Sequence, residues 1–251
     1  MSKFTRMPQF IKDAYLTHCF PAAQPFGQAP AIIAGGAIRD VLNGVRVKDI
    51  DIFVSAENRH LYEGSIEFWQ KLGRGPSKLF DRHYNALPWV PGSKKQTTIP
   101  HSATVGGSSI HLNGLSGTIL FGAPPLVMSS TNNPSSSYQD NRKIVEVYEM
   151  AATGRDSQYP LNLIFTECDP VEYVTKYFDF GLCKTWYDGT FVHMHGDYTT
   201  DVNNKTITMV LPEPHVIACY GDMQTGIEAM QGHADRLQYK YPTHKIIMPS
   251  V

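Results

Sequence analysis

A short stretch near the N-terminus, residues 31–54, constrains this chain more than any other part of its sequence. The apolar run Ala31–Ala34 is followed by Gly35 and Gly36, which predicts a strand that ends in a tight turn. Residues 37–42 then have the pattern of a helix, whose first amides would face any group bound in the turn. Because helix N-termini favour negative charge, the segment predicts a strand, a turn and a helix arranged around a phosphate.

Two aspartates follow this turn on a second apolar segment, residues 49–54. Asp49 and Asp51 are separated by one residue, and in a strand that spacing places both carboxylates on one face. Two adjacent carboxylates repel each other, and a divalent cation relieves the repulsion. We therefore predict that Asp49 and Asp51 bind Mg²⁺ or Mn²⁺ beside the phosphate, an arrangement suited to phosphoryl chemistry.

Taken together, these residues resemble the nucleotidyltransferase superfamily of DNA polymerase beta and the tRNA nucleotidyltransferases. Its signature is a Gly-Gly or Gly-Ser pair followed by Asp-x-Asp on a strand, and here twelve residues separate Gly36 from Asp49. The form Gly-Gly-Ala-Ile-Arg39-Asp40 is most similar to the tRNA nucleotidyltransferase branch. The resemblance implies transfer of a nucleoside monophosphate from a nucleoside triphosphate such as ATP to an acceptor hydroxyl on RNA, on a protein or on a small molecule.

The resemblance also implies roles for the residues of the turn. Gly35, Gly36, Arg39 and Asp40 would bind the nucleotide, while the aspartate pair would be catalytic and hold the metal. Arg39 has two compatible interpretations: an ion pair with Asp40 that fixes the helix to the loop, or a direct contact with a nucleotide phosphate. An inactive member of the superfamily that serves as a binding or assembly protein is the main alternative to an enzyme.

Members of this superfamily carry a third carboxylate from a later strand, and three residues here compete for that role. Asn162 occupies the expected position in Leu-Asn-Leu-Ile, but an amide adds no charge. Glu146 lies between two valines and fits the apolar-acidic-apolar pattern. Asp179, in Phe-Asp-Phe, is similar to a motif that follows the catalytic sheet in tRNA nucleotidyltransferases. We favour Asp179 as the third catalytic or site-adjacent carboxylate and keep the other two residues as alternatives.

Two motifs of the CCA-adding enzymes, Arg-Arg-Asp-Phe-Thr and Glu-Asp-x-x-Arg, are absent from the chain. The resemblance therefore supports nucleotide transfer without supporting CCA addition. The chain is also similar to short nucleotidyltransferase-like proteins encoded by bacteriophages, in Phe-Asp-Phe and in the tail 233–242. In that tail His233, Arg236 and Lys240 share one helical face, which either contacts phosphate or an RNA end, or forms a solvated helix end.

Composition limits the class of protein further. A chain of 251 residues with 42% hydrophobic residues can bury a substantial core, and its net charge of −1 provides no general attraction for nucleic acid. The four cysteines form no Cys-x-x-Cys pair, which argues against a zinc site or a disulfide framework. The sequence shows neither a signal peptide nor an apolar run of membrane-spanning length. We therefore expect a cytoplasmic protein, located in the host cytoplasm if a phage encodes it.

The predicted fold is α/β or α+β, with a mixed sheet and helices on one side, in a single domain that covers residues 1–251. Between residues 84 and 139 the only formal charges are Lys94 and Lys95, and serine, asparagine and proline are abundant. This composition predicts a long, loop-rich insertion at about 84–140, placed to cover the active site. A helical segment is predicted at 213–251, and the sequence leaves the oligomeric state open.

Overall fold

The computed structural model describes residues 7–19, 31–63, 66, 77–81, 101–105, 108–112, 143–150 and 159–250. The chain forms two compact units, one made of Met1–Leu87 with Pro134–Val251 and the other of Pro88–Asn133. The smaller unit falls within the segment that we expected to be an insertion, and it contains an antiparallel hairpin formed by β4 (His101–Val105) and β5 (Ser108–Leu112). The other residues of that segment lie outside the described part of the chain.

The remaining elements belong to the larger unit. Its α-helices within the described residues are α1 (Gln9–His18), α2 (Gly36–Leu42), α3 (Pro170–Tyr177), α4 (Gly196–Asn204), α5 (Glu213–Tyr220) and α6 (Met223–Lys240). Its strands there are β1 (Ala31–Ala34), β2 (Ile50–Ser55), β3 (Ser77–Asp81), β6 (Ile144–Met150), β7 (Leu161–Thr166), β8 (Thr185–Tyr187), β9 (Val192–Met194), β10 (Thr206–Thr208) and β11 (Lys245–Ile247). Two 3-10 helices add Ala56–Tyr62 and Gly181–Cys183.

One seven-stranded sheet organises the larger unit, in the order β3-β6-β7-β2-β1-β8-β9. β2 and β7 run parallel, whereas the other neighbouring strands of the sheet are antiparallel. β10 and β11 form a separate parallel pair. The mixed sheet with flanking helices confirms the predicted fold class. No helix in the described part of the chain is both long and apolar enough to cross a membrane.

Helices cover both faces of the sheet, so the expectation that they lie on one side was wrong. α1 and α2 pack on one face through residues such as Ile11 and Ile38, and α3 packs on the other through Tyr173. The reason lies in the strands themselves. Ala31–Ala34 and Leu161–Thr166 are buried at every position, and a strand buried on both faces requires cover on both faces.

A second apolar core lies in the C-terminal part of the larger unit, where α4, α5 and α6 pack around β10. Its buried members are Phe180, Leu182, Cys183, Tyr198, Ile207, Met209, Val216, Met230, Ala234, Leu237 and Tyr241. The helical segment predicted here is divided into α5 and α6 at Gly221, whose φ is +94°. Asp222 then caps α6 by accepting a hydrogen bond from the Thr225 amide at 2.7 Å.

Two local predictions differ from the structure. The spacing of apolar residues over 56–72 predicts a helix, whereas the structure has a 3-10 helix at Ala56–Tyr62, and most of the remaining residues lie outside the described chain. The Asp188-Gly189 pair predicts a two-residue hairpin turn, whereas the turn between β8 and β9 has four residues. Asp188 widens it, because its carboxylate accepts hydrogen bonds from the amides of Thr190 at 2.8 Å and Phe191 at 2.7 Å.

Candidate functional site

The turn between β1 and α2 depends on Gly35. Its φ is +71°, and a Cβ at this position would lie 3.1 Å from the ring of Phe178, so the turn requires glycine. The Gly35 amide donates to the carbonyl of Thr185 on β8 at 3.0 Å. Gly36 is different, because a Cβ there would meet only the Arg39 guanidinium at 3.6 Å. The predicted strand, turn and helix are confirmed.

The sheet places Asp51 next to this turn. β1 and β2 are antiparallel, and Ala34, the last residue of β1, lies opposite Asp51 on β2. Asp49 precedes the strand instead of belonging to it, so strand alternation does not explain how the two carboxylates come together. They interact nevertheless, since the charge of Asp49 acts on Asp51. The pair therefore lies where the chain enters β2, beside the residue that leads into Gly35.

Asn162 occupies the position on β7 directly opposite Asp51. The parallel pairing of β2 with β7 brings the two residues into register, and Asn162 Nδ2 donates to Asp51 Oδ1 at 2.8 Å. The placement that we inferred for Asn162 agrees with the structure. A neutral amide thus stands beside Asp51 where the resemblance predicts a third carboxylate.

The environment of Asp51 raises its pKa from 3.8 to about 7. Burial makes the largest contribution and repulsion from Asp49 adds to it, while the Asn162 hydrogen bond and the positive charges of Arg39 and Lys48 oppose both. Near neutral pH the Asp51 carboxyl is therefore only partly ionised. Two carboxylates and an amide supply the hard oxygen donors that Mg²⁺ and Mn²⁺ prefer, so the residues present fit a divalent cation.

Arg39 and Asp40 form a buried ion pair inside the protein. Nη2 of Arg39 lies 2.7 Å from Asp40 Oδ1, and the side chains are only 6% and 1% exposed. Nε of Arg39 also donates to Asp40 Oδ1 at 2.8 Å and to the Tyr241 hydroxyl at 3.2 Å, and Nη1 donates to Cys183 Sγ at 3.1 Å. Burial raises the pKa of Cys183 to about 11, so the sulfur accepts this bond as a thiol. The structural role expected for Arg39 is present, and its contact with a phosphate stays a prediction.

Asp179, the residue favoured as third carboxylate, is paired with a histidine of the C-terminal helix. Its Oδ2 lies 2.6 Å from Nδ1 of His233, and its Oδ1 accepts from the Phe180 amide at 3.0 Å. Burial works to raise the pKa of Asp179, but the charge and hydrogen bond of His233, together with backbone hydrogen bonds from Asp179 and Phe180, outweigh burial and lower it. Within the described chain no three His, Cys, Asp or Glu side chains are grouped so as to hold a metal ion. Asp179 thus does not share a three-ligand cluster with the aspartate pair, and its catalytic role stays a prediction.

Glu146, the other alternative, is engaged elsewhere. Its Oε2 accepts from Arg59 Nε at 2.7 Å and from the Tyr148 hydroxyl at 3.3 Å. Sequence reasoning missed Glu149, which lies opposite Asn162 on β6 and therefore on the same row as Asp51. Within the described residues, however, Glu149 is not grouped with Asp49 and Asp51 into a set of three that could hold a metal ion. The position of Glu149 beside Asn162 follows only from the pairing of β6 with β7, and no local pattern in the sequence indicates it.

Comparison with known families identifies the chain. A family model described as "Gad2: Gabija anti-defense 2 family protein" matches residues 7–205. The chain belongs to the Gabija anti-defense 2 family. The range matched in this Gabija anti-defense 2 protein includes the glycine turn, the aspartate pair and Asn162, whereas β10, α5, α6 and β11 lie beyond it.

Two solved structures resemble this Gabija anti-defense 2 protein at 12% sequence identity. The first, "tRNA-processing enzyme (apo form I)", has a TM-score of 0.47, with 96% of this chain and 45% of the other chain covered. The second, "Structure of tRNA-processing enzyme complex 3", has a TM-score of 0.38, with 86% and 40% covered. The chain thus spans less than half the length of either structure. No curated protein matches it.

Proposed function

We propose that this Gabija anti-defense 2 protein is a metal-dependent nucleotidyltransferase that moves a nucleoside monophosphate from a nucleoside triphosphate to an acceptor hydroxyl. The observation that carries the proposal is Asp51, a carboxyl group held beside Asp49 and next to the glycine turn, with its pKa raised to about 7. Holding like charges together in a partly buried site is costly unless a cation is bound there. Mg²⁺ or Mn²⁺ beside a turn that admits phosphate accounts for the arrangement.

Each residue of the site has a role in this reaction. Asp49 and Asp51 would hold the cation, which when bound neutralises charge on the transferred phosphate and lowers the pKa of the acceptor hydroxyl. The turn at Gly35 and Gly36 would let the triphosphate approach the backbone, and Arg39 would supply positive charge beside it. The acceptor oxygen bonds to the α-phosphorus as the bond to pyrophosphate breaks, and the hydroxyl proton is released to solvent.

The acceptor is proposed from the family description and from charge. The description Gabija anti-defense names a family that acts against a defence. We therefore propose that the acceptor is a component of that defence. A net charge of −1 gives no general attraction for a nucleic acid, whereas a protein acceptor needs none. We therefore favour a hydroxyl group on a protein of the defence.

Label transfer tests the proposal. The protein is incubated with each α-labelled nucleoside triphosphate, Mg²⁺ or Mn²⁺, and an extract that contains the proteins of the defence together with total RNA. We expect label on a protein with the wild type, none with the Asp49→Asn/Asp51→Asn double variant, and unchanged transfer with Asp235→Asn, which removes an exposed carboxylate on α6.

The outcomes separate the possible reactions. Label found on RNA would keep the nucleotidyltransferase and replace its acceptor. Labelled nucleotide released without any acceptor would indicate a hydrolase that uses the same metal geometry. Transfer that persists in the double variant would overturn the assignment.

A second candidate function is a catalytically inactive nucleotidyltransferase fold that acts as a binding or assembly protein. It is favoured by Asn162, which takes the place of a third carboxylate beside Asp51. Triphosphate binding without label transfer to protein or RNA, together with a stable complex with a component of the defence, would support this candidate over the enzyme.

A further inference from the structure

The last turn of α6 reaches the residues that follow the glycine turn. Lys240 Nζ lies 2.5 Å from Asp40 Oδ2, and the Tyr241 hydroxyl donates to Asp40 Oδ1 at 2.7 Å. Cζ of Arg39 is 5.5 Å from the centre of the Tyr241 ring. The range matched by the family ends at residue 205, so these contacts come from a part of the chain beyond it. The C-terminal helix therefore contributes to the candidate nucleotide site.

Lys240 changes the charge of this cluster. Arg39 and Asp40 carry opposite charges and are in direct contact, with two guanidinium nitrogens 2.7 and 2.8 Å from one carboxylate oxygen. Alone, the two side chains would therefore have no net charge. Lys240 binds the other oxygen and brings a second positive charge, so the three side chains together carry a net charge of +1. Asp40 is only 1% exposed, and protein donors rather than water must therefore satisfy its carboxylate.

Arg39 retains donors for a ligand. A guanidinium has five N–H groups. Arg39 donates hydrogen bonds from Nε to Asp40 and Tyr241 and from Nη1 to Cys183, while Nη2 is in ion-pair contact with Asp40. Among the described residues, neither terminal nitrogen makes a further hydrogen bond. Nη2 lies 3.6 Å from the position that a Cβ on Gly36 would take, so this end of Arg39 borders the turn.

We infer that Lys240 and Tyr241 are positioning residues for the triphosphate. They satisfy the carboxylate of Asp40 from the C-terminal side and thereby leave the charge and the remaining donors of Arg39 available to a phosphate at the Gly35–Gly36 turn. The inference rests on the proposed function, because it requires that turn to bind a triphosphate. It assigns to α6 a role that packing of the second core does not require.

Calorimetric binding of inorganic tripolyphosphate in the presence of Mg²⁺ tests this role, since the probe carries the charge of a triphosphate without a base. We expect Lys240→Met to weaken binding about tenfold and to reduce its dependence on salt, because one nearby positive charge is lost. Lys240→Arg should restore both. Lys245→Met removes the same charge from an exposed position on β11, and should leave the affinity unchanged.

Thermal unfolding of every variant shows whether a loss of binding reflects a loss of fold. If the Lys240→Met protein does not fold, the Lys240→Gln variant is used instead, because glutamine can donate a hydrogen bond to Asp40 without carrying a charge. Equal affinities for the wild type and the folded charge-removing variant would overturn the inference while leaving the proposed function intact. A wild type that does not bind tripolyphosphate would instead remove the triphosphate site on which the proposed function depends.

Discussion

Asp51 is held where its negative charge is unfavourable unless a cation is bound. The cause is local: burial and the neighbouring Asp49 raise its pKa to about 7, and the favourable contacts with Asn162, Arg39 and Lys48 compensate only in part. Asn162 also orients the carboxyl, because its Nδ2 donates to one oxygen at 2.8 Å. A single side chain therefore couples proton binding to the stability of the protein, and under the proposed function it would couple both to metal binding.

This coupling predicts a stabilising substitution. The folded-state pKa of Asp51 lies above its value of 3.8 in the unfolded chain, so without metal its contribution to stability is full below about pH 4 and is lost as the pH rises through about 7. Asp51→Asn removes the penalty, and we expect it to raise the free energy of unfolding at pH 8 by about 2 kcal/mol. At pH 4 the two proteins should be equally stable. Thermal unfolding in EDTA across this range measures the difference.

Mg²⁺ provides the complementary measurement. At pH 8 it should stabilise the wild type and leave the Asp49→Asn/Asp51→Asn variant unaffected, because a ligand stabilises only a fold that binds it. The exposed Asp235→Asn variant should respond like the wild type. A destabilised Asp51→Asn protein at pH 8 in EDTA would show that burial and repulsion from Asp49 do not penalise the ionised Asp51 carboxylate.

At the scale of elements, the strand β1, the turn and the helix α2 work as one unit. Gly35 has a positive φ, its amide is bonded to β8, and its Cα borders Phe178. Gly36 has none of these restrictions, since it is the first residue of α2. The two adjacent glycines therefore differ: Gly35 is required by its conformation, whereas the proposed function assigns Gly36 to the close approach of a phosphate.

The glycine pair predicts a contrast between two alanine substitutions. Gly35→Ala should lower the free energy of unfolding by about 2 kcal/mol, because it combines backbone strain with a close contact to Phe178. Gly36→Ala should leave stability unchanged or raise it by up to about 1 kcal/mol, since alanine is a better helix former. Urea unfolding of both variants checks the contrast. Equal stability losses would show that the positive φ at Gly35 is not what the turn requires.

At the scale of the whole larger unit, polar contacts from α6 link the C-terminal core to the apolar residues that pack on the sheet. Phe178 packs against both cores, and the next residue, Asp179, is paired with His233 on α6. One helical face thus carries His233 to Asp179 and, seven residues later, Lys240 to Asp40. The face that we considered either solvated or phosphate-binding is in large part a docking face within the protein.

The Asp179–His233 pair predicts a pH-dependent loss of stability. The pKa of Asp179 is lowered in the folded protein, so the contribution of the pair is present above about pH 4 and is lost as the pH falls through the lowered value. His233→Ala should lower the free energy of unfolding at pH 7 by about 1–3 kcal/mol, because it removes a hydrogen-bond partner from a partly buried carboxylate. Urea midpoints at several pH values measure the loss.

The exposed His60 offers the control for that measurement, since His60→Ala should have little effect at any pH. A double-mutant cycle with Asp179→Asn then isolates the interaction between the two side chains. A coupling energy close to zero at pH 7 would show that the pair does not hold α6 in place.

Several features of the site could be predicted from the sequence because they depend on residues close together in the chain. The turn at Gly35, the helix after it and the strand that carries Asp51 follow from local periodicity and from the conformational freedom of glycine. The helix that begins at Pro170 is equally local. The Asp169 carboxylate caps it by accepting from the Val171 and Glu172 amides.

Only the tertiary structure decided which side chains meet. Asn162 bonds Asp51 across 111 residues of chain, because β7 is the parallel neighbour of β2. His233 reaches Asp179 across 54 residues, and Lys240 reaches Asp40 across 200. These pairings depend on strand order and on how α6 docks, and both are set by burial of apolar surface over the whole fold rather than by any short pattern. The sequence by itself therefore determined the turn and its aspartates, and the packed fold determined their partners.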